Sequence, residues 1–250
     1  MHELMPSDCI IPDWPAPPHV KALITTRAGG VSTGPYSSLN LGFATADDHA
    51  AVRTNHARLQ GLLPRTPKWL RQVHGAHVVI ADAQTERIEA DASMAREAGT
   101  VCAILIADCL PVLFTNRSGT IVAAAHAGWR GLAAGVIANT VDEILRSGIA
   151  STDLLAYIGP GIGPTAFEVG DDVYAAFIAR DPEAANAFRR HTPGKWLADL
   201  FALARRALTR CGVTHIYGGG MCTYSDAERF YSYRRDKATG RMAALIWREE

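Results

Sequence analysis

VCAILIADCLPVLFTNRSGTIVAAAHAGWRG, residues 101–131, decides how the chain is built. It holds three apolar runs of strand length, VCAILIA (101–107), VLFT (112–115) and TIVAAA (120–125). Asp108-Cys109 break the first from the second, and Pro111 forces an extended turn there. Neither gap has room for a helix. A parallel neighbour needs a crossover of about a dozen residues or more, so a purely doubly wound parallel sheet does not fit, and a mixed sheet does.

Outward from this stretch, strands and helices stay intermixed from end to end. KALITT (21–26) reads as a strand ending at Arg27, followed by the loop AGGVSTGPYSSLNLG. Asp47 or Asp48 caps a helix running to about Gln60, and HVVIA (77–81) is a further strand. GLAAGVIANTVDEILRSG reads as one amphipathic helix with Leu132, Val136, Ile137, Val141, Ile144 and Leu145 on one face and Gly148 as its stop. LLAYIGPGIGP is a strand breaking into a Gly/Pro loop. DDVYAAFIAR (171–180) and WLADLFALARRALTRCG (196–212) read as helices, then VTHIYGGG and AALIWRE as strands. The first 18 residues, rich in proline, form an extended lead-in, and residues 19–250 form a single α/β domain of layered mixed sheets flanked by helices.

Composition removes several function classes. Lys plus Arg and Asp plus Glu are 25 each, so no broad field attracts nucleic acid or an anionic membrane. The N-terminus lacks a basic segment followed by an apolar core, and no apolar run approaches the roughly 18 residues needed to span a bilayer. The 5 cysteines are odd in number and scattered without CxxC, which points to a reducing cytoplasm rather than a disulfide framework.

The chemistry-bearing residues interrupt apolar runs at strand ends, where open α/β folds place ligands. His74 precedes a strand in RQVHGAHVV, Cys109 sits in LIADCLPVLF, and His126 ends VAAAH. One cysteine and two histidines make a three-ligand set for zinc, with the fourth position left for water or substrate. The spacing matches no compact zinc pattern, and each residue has a plainer reading as a buried thiol or a capping imidazole. His77 forms HxxH with His74, but on extended chain the two point to opposite faces, so at most one is a ligand. TRAGGVSTG (26–34) and IGPGIGP (158–164) fit neither a nucleotide-triphosphate loop nor a dinucleotide fingerprint. Arg27, beside exposed backbone N–H groups in the first of these loops, is the phosphate candidate. In HAGWRG, Trp129 is expected to pack under the following helix, and Arg130 to pair with a carboxylate or loop carbonyl.

Taken in order, QVHG, ADCLPVLF, AAAHAGWRG, IGPGIGP and FYSYRRDKATGR resemble the laccase-domain (YfiH-like) family over nearly the whole chain. Its members carry the labels multicopper polyphenol oxidase, peptidoglycan editing factor and purine nucleoside phosphorylase. The resemblance implies the layered fold shared with cytotoxic necrotizing factor toxins. It also implies one zinc held by His74, Cys109 and His126, which then serve as the catalytic centre. Arg27, Asn40 and Arg130 are the expected substrate-binding residues. The implied activity is phosphorolysis of adenosine, inosine or methylthioadenosine, with deamination of adenosine; the implied partners are purine nucleosides and phosphate.

A multicopper oxidase needs several coppers held largely by His-x-His pairs, and none of the 9 histidines forms one. The laccase mechanism is therefore rejected, although adventitious copper is not, since thiolate and imidazole bind it well. Two other readings stand beside the zinc enzyme. In one, Cys109 is a nucleophile activated by His126 with Asp108 or a backbone group orienting the pair, a hydrolase chemistry compatible with peptidoglycan precursors. In the other, the metal is structural and the domain binds a partner.

Overall fold

The computed structural model describes residues 4–250. Two large sheets pack face to face. The first has five strands in the order β1 (Cys9–Ile10), β2 (Val20–Thr25), β14 (Met242–Arg248), β6 (Cys102–Ile106) and β3 (Lys68–Trp69). The second has six, in the order β13 (His215–Gly218), β9 (Leu154–Ile158), β7 (Leu110–Asn116), β8 (Val122–Ala127), β5 (Ala92–Ala95) and β4 (Val78–Ile80). β13–β9, β4–β5 and β3–β6 are parallel pairs, while β7 runs antiparallel to both β8 and β9. A mixed α/β architecture is thus what the helix-free run from 101 to 125 required.

Side-chain alternation explains why these strands read as unbroken apolar runs. In β6 and β14, Ile104, Ile106, Ala244 and Ile246 face the second sheet. Ala103 and Leu245 face the opposite way, beneath Leu39, Leu41 and Leu59. Leu59 belongs to α1 (His49–Gln60), whose first turn is capped by Asp48 accepting from the Ala50 N–H at 2.9 Å. In β7 the alternation is Leu113 inward between the sheets and Val112 and Phe114 outward under helices. With both faces covered, a polar group without a partner in these strands carries a desolvation cost.

The outer face of the second sheet is covered by α3 (Val136–Leu145) and α5 (Leu200–Arg210). Here two expectations fail. The stretch 131–148 is two helices, α2 (Trp129–Ala134) and α3, broken at Gly135, whose φ of +100° ends one and starts the other. A left-handed residue cannot continue an α-helix, and glycine adopts that conformation without a steric cost. Residues 196–198 are not the start of a helix but part of β12 (Lys195–Ala198), the centre of a small third sheet between β10 (Glu168–Gly170) and β11 (Phe188–Arg190). Trp196 stacks on Tyr174 of α4 (Asp171–Ile178) with centroids 4.0 Å apart, and only after it does Asp199 cap α5. The proline-rich lead-in contains β1, paired antiparallel to β2, and Leu4 is buried against the first sheet.

Candidate metal centre

The chain arrives at the site along three strands. β6 ends at Ile106, turns through Asp108 and delivers Cys109 just before β7 begins. β8 pairs with β7 so that Leu110 faces Ala127 and Pro111 faces His126, which sets Gly128 beside Cys109. His74 comes from the loop before β4. The ligand atoms of His74, Cys109 and His126 all lie within 4.8 Å of one another. Three residues separated by 35 and 17 positions thus converge. His126 is buried, Cys109 half-buried and His74 exposed, so the cluster opens to solvent on the His74 side.

The group that organises this convergence is Asp91, immediately before β5. It is fully buried, and its main-chain carbonyl accepts from the His126 N–H at 2.7 Å. Its carboxylate accepts from His126 Nδ1 at 2.8 Å and from three successive backbone N–H groups: Val73 at 3.1 Å, His74 at 2.9 Å and Gly75 at 2.7 Å. One side chain therefore folds the His74 loop and orients the His126 ring. With Nδ1 donating to Asp91, Nε2 of His126 is left as the metal-facing nitrogen, the usual arrangement of a ligating histidine. Asp108 does not orient the pair as the cysteine-nucleophile reading expected. Its carboxylate is occupied by Thr223 Oγ1 at 2.6 Å and the Arg234 N–H at 2.6 Å.

Electrostatics follow from this packing. Burial opposes ionisation of Cys109, yet the His126 charge and hydrogen bonds from both rings outweigh it and bring the thiol down to about 6. Burial also opposes charging of His126, and the Cys109 sulfur and the Asp91 carboxylate reverse that, raising it to about 9. Asp91, although desolvation disfavours its charge, is held low by His126 and the N–H groups of Gly75 and Val73. A thiolate beside imidazole nitrogens is a donor set for zinc or copper. Space is kept for it at Gly128, where a Cβ would fall 2.7 Å from Cys109 Sγ and 3.2 Å from His74 Cδ2. The residues fit a metal ion. Among the described residues this is the one such group of three.

The other residues that the sequence singled out are not members of the three-residue group. His77 is outside it, its Nδ1 against the Glu89 carbonyl at 2.9 Å. Trp129 packs against the helical core as expected. Among the described residues Arg130 has neither the carboxylate nor the carbonyl partner expected for it. It is exposed and lies over the Trp129 ring at 4.4 Å. Arg27 donates from Nε to the Ser37 carbonyl and from Nη1 to the Ala227 carbonyl, both at 2.9 Å, and sits over Tyr231. Asn40 is fully buried: its Nδ2 donates to Thr45 and Asp47, and its Oδ1 accepts from the N–H groups of Gly42 and Arg241.

Sequence reasoning missed Asp91. The one signal for it is an acid set against an alanine-rich apolar run in EADASMA, the same interruption that marked His126.

Residues 21–249 match the family described as multi-copper polyphenol oxidoreductase laccase. A Pseudomonas aeruginosa protein named purine nucleoside phosphorylase is 53% identical over 242 residues, covering 96% of this chain and 98% of the relative. Purine nucleoside phosphorylase YfiH of Escherichia coli is 52% identical, covering 96% and 99%. Among solved structures, a Neisseria meningitidis protein superposes with a TM-score of 0.91 at 51% identity, covering 97% of this chain and 100% of the other. YlmD of Geobacillus stearothermophilus superposes at 0.87 with 37% identity, covering 93% of each chain. Matched over most of its length in both sequence and fold, this chain belongs to the laccase-domain, YfiH-like family.

Proposed function

We propose that the chain is a zinc-dependent purine nucleoside enzyme. It phosphorolyses adenosine, inosine or methylthioadenosine and deaminates adenosine. The observation that carries this reading is the His74–Cys109–His126 cluster with Asp91 behind it, in a chain whose relatives bear the name purine nucleoside phosphorylase. When bound, zinc supplies Lewis acidity and lowers the pKa of water in its open position. The chain's own residues do the rest. Cys109 and the two imidazoles present the donors, Asp91 holds the proton on Nδ1 of His126, and the exposed His74 side leaves access for a nucleoside.

In phosphorolysis a phosphate oxygen bonds to C1′ of the ribose as the C1′–N9 bond breaks. The electron pair stays on the base, which takes up a proton. In deamination, water adds at the purine carbon bearing the amino group and ammonia leaves. Phosphorolysis needs an anion subsite as well. Arg27 keeps Nη2 outside its two carbonyl bonds, and Arg130 is exposed. No helix among the described residues is long and apolar enough to cross a membrane. The proposed place of action is the cytoplasm, a reading supported by five free cysteines.

Incubating the zinc-loaded protein with adenosine and phosphate is expected to release adenine, inosine or hypoxanthine, read by chromatography. A loaded sample that forms none of them overturns the proposal. A second reading has its own observation, the lowered Cys109 thiol paired with the raised His126. That pair suits a nucleophilic cysteine hydrolase acting on, among others, peptidoglycan precursors, with Asp91 as the orienting acid. A thiolate cannot be both a tight zinc ligand and a free nucleophile. Activity that survives metal removal and is abolished by alkylation selects this second reading.

A further inference from the structure

Three non-glycine residues among those described have positive φ: His74 (61°), Asp108 (85°) and Lys237 (59°). Such strain persists only where the surroundings enforce it, and it gathers at functional sites. Two of the three belong to the metal cluster or its turn. The third is on a segment tied to that same turn, because the Arg234 N–H donates to the Asp108 carboxylate at 2.6 Å. Lys237 follows the short helix α6 (Tyr233–Asp236), and its φ and ψ of 59° and −68° lie in the rare γ-turn region.

Arg241 is on the same side. β14 pairs with β6 so that Met242 faces Ile106, which sets Arg241 level with Ala107, two residues before Cys109. Its backbone N–H donates to Asn40 Oδ1 at 2.8 Å. Its side chain runs close against Gly42, where a Cβ would lie 2.7 Å from Arg241 Cγ. The guanidinium is half-buried, yet among the described residues its bonds go to main-chain carbonyls, from Nη1 to Thr239 and Gly240 at 3.0 Å each. Among the described residues no carboxylate forms an ion pair with it or with Lys237. Arg241 lies 5.9 Å and the Lys237 ammonium 5.7 Å from the centre of the Tyr233 ring, which is 53% exposed. Burial lowers the Arg241 pKa, against the field of Cys109 and Asp108.

We propose that Arg241 and Lys237, arrayed around Tyr233 beside the metal cluster, form a binding site for a tetrahedral oxyanion, the inorganic phosphate consumed by the reaction. A desolvated guanidinium without a carboxylate keeps Nε and Nη2 for an incoming anion, and this fork suits phosphate. Asn40 is then a positioning residue, acting through the Arg241 backbone. Arg27 is a brace whose donors tie the Ser37 and Ala227 loops together. The proposal rests on the nucleoside phosphorylase reading for the identity of the anion, and on Arg241 and Lys237 for its place.

The test is calorimetry of inorganic phosphate binding to the zinc-loaded full chain without nucleoside, followed by KM values for phosphate and nucleoside. Arg241→Gln is expected to weaken phosphate binding by about tenfold or more, with nucleoside KM within about twofold. Lys237→Ala, at an exposed residue whose ammonium makes no hydrogen bond or ion pair among the described residues, is expected to weaken it by about threefold. Wild-type phosphate affinity in Arg241→Gln overturns the site. So does a loss confined to Arg27→Ala, which would return the anion to the glycine-rich loop. If Arg241→Gln does not fold, Arg241→Lys and Lys237→Ala decide: wild-type affinity in both overturns it. Adenosine 5′-monophosphate bound about tenfold tighter than phosphate, with dependence on Arg241, would mean that a nucleotide carries the anion and would overturn the co-substrate role. Phosphate bound through Arg241 by a protein that cleaves no nucleoside leaves the site standing and removes the nucleoside phosphorylase reading instead.

Discussion

Two regions of this molecule treat a histidine in opposite ways. One is a cleft of about 410 Å³ at the edge of the first sheet, lined by Leu41, Phe43, His56, Lys68, Trp69 and Gln84. There Phe43 stacks on His56 with centroids 4.9 Å apart, and the ring meets Trp69 edge-on at 5.1 Å. Burial lowers the His56 pKa, with the Arg87 charge acting in the same direction against a hydrogen bond to the Leu41 carbonyl. His56 is therefore a neutral filler. At the metal cluster a more deeply buried imidazole goes the other way, because a carboxylate sits on Nδ1 and a sulfur near its other side. The backbone differs as well: positive φ at His74 and Asp108 marks the cluster, whereas none of the residues lining the His56 cleft has it. Buried opposite charges and enforced backbone strain mark the cluster.

The sharpest way to break this contrast is to remove the donors. Cys109→Ala, His74→Ala and His126→Ala are each expected to lose stoichiometric zinc and to lower kcat/KM by about 100-fold or more, since a three-ligand site has no spare donor. The fold should survive, because the cores on either side of the second sheet are built without these residues. Metal analysis and circular dichroism check both halves. Stoichiometric zinc retained in two of the three variants would name the wrong ligands.

A smaller effect is expected behind the donors. Asp91→Asn keeps the shape but removes the charge that holds the His126 proton, and the expected loss in metal affinity is about 10–100-fold. The sign of the pH effect follows in metal-free protein. The wild-type Cys109 thiol, brought down to about 6, should alkylate with a midpoint near pH 6, well below an ordinary thiol. With Asn at 91, His126 loses a proton more readily, the thiolate loses its cation, and the midpoint moves up. An unchanged midpoint would show that Asp91 only builds the loop.

How far the sequence foretells this depends on the distance over which each signal acts. Strand and helix identity comes from local runs, and the structure matches them at β6, β7, β8 and α1. The errors are local signals overruled by neighbours. Gly135 reads as a tolerated helix glycine until its φ is seen, and Trp196-Leu197 look helical until the third sheet claims them. The three cluster residues are legible because each interrupts an apolar run. Asp91 is not, because its meaning lies in Val73, His74, Gly75 and His126, between 16 and 35 residues away. Arg241 is hidden likewise. Its place beside Cys109 comes from the pairing of β14 with β6, across more than half the chain.

The smallest expected effect tests the other side of the contrast. If His56 is only a neutral ring filling space, His56→Phe keeps the stacking on Phe43 and the edge contact with Trp69. What it removes is the hydrogen bond to the Leu41 carbonyl, 2.8 Å long and part-buried. The cost should be about 1 kcal/mol of stability, read as a modest fall in the denaturation midpoint. The activity should stay within about twofold, with the same pH profile as wild type, because burial holds His56 toward its neutral form. Leu41 also packs beneath the first sheet beside Leu39, so its backbone has a second anchor and should not shift. A pH profile altered by His56→Phe would mean that the His56 cleft communicates with the metal cluster through the Leu41–Arg241 backbone bond, 3.0 Å long, and the two regions would have to be treated as one system.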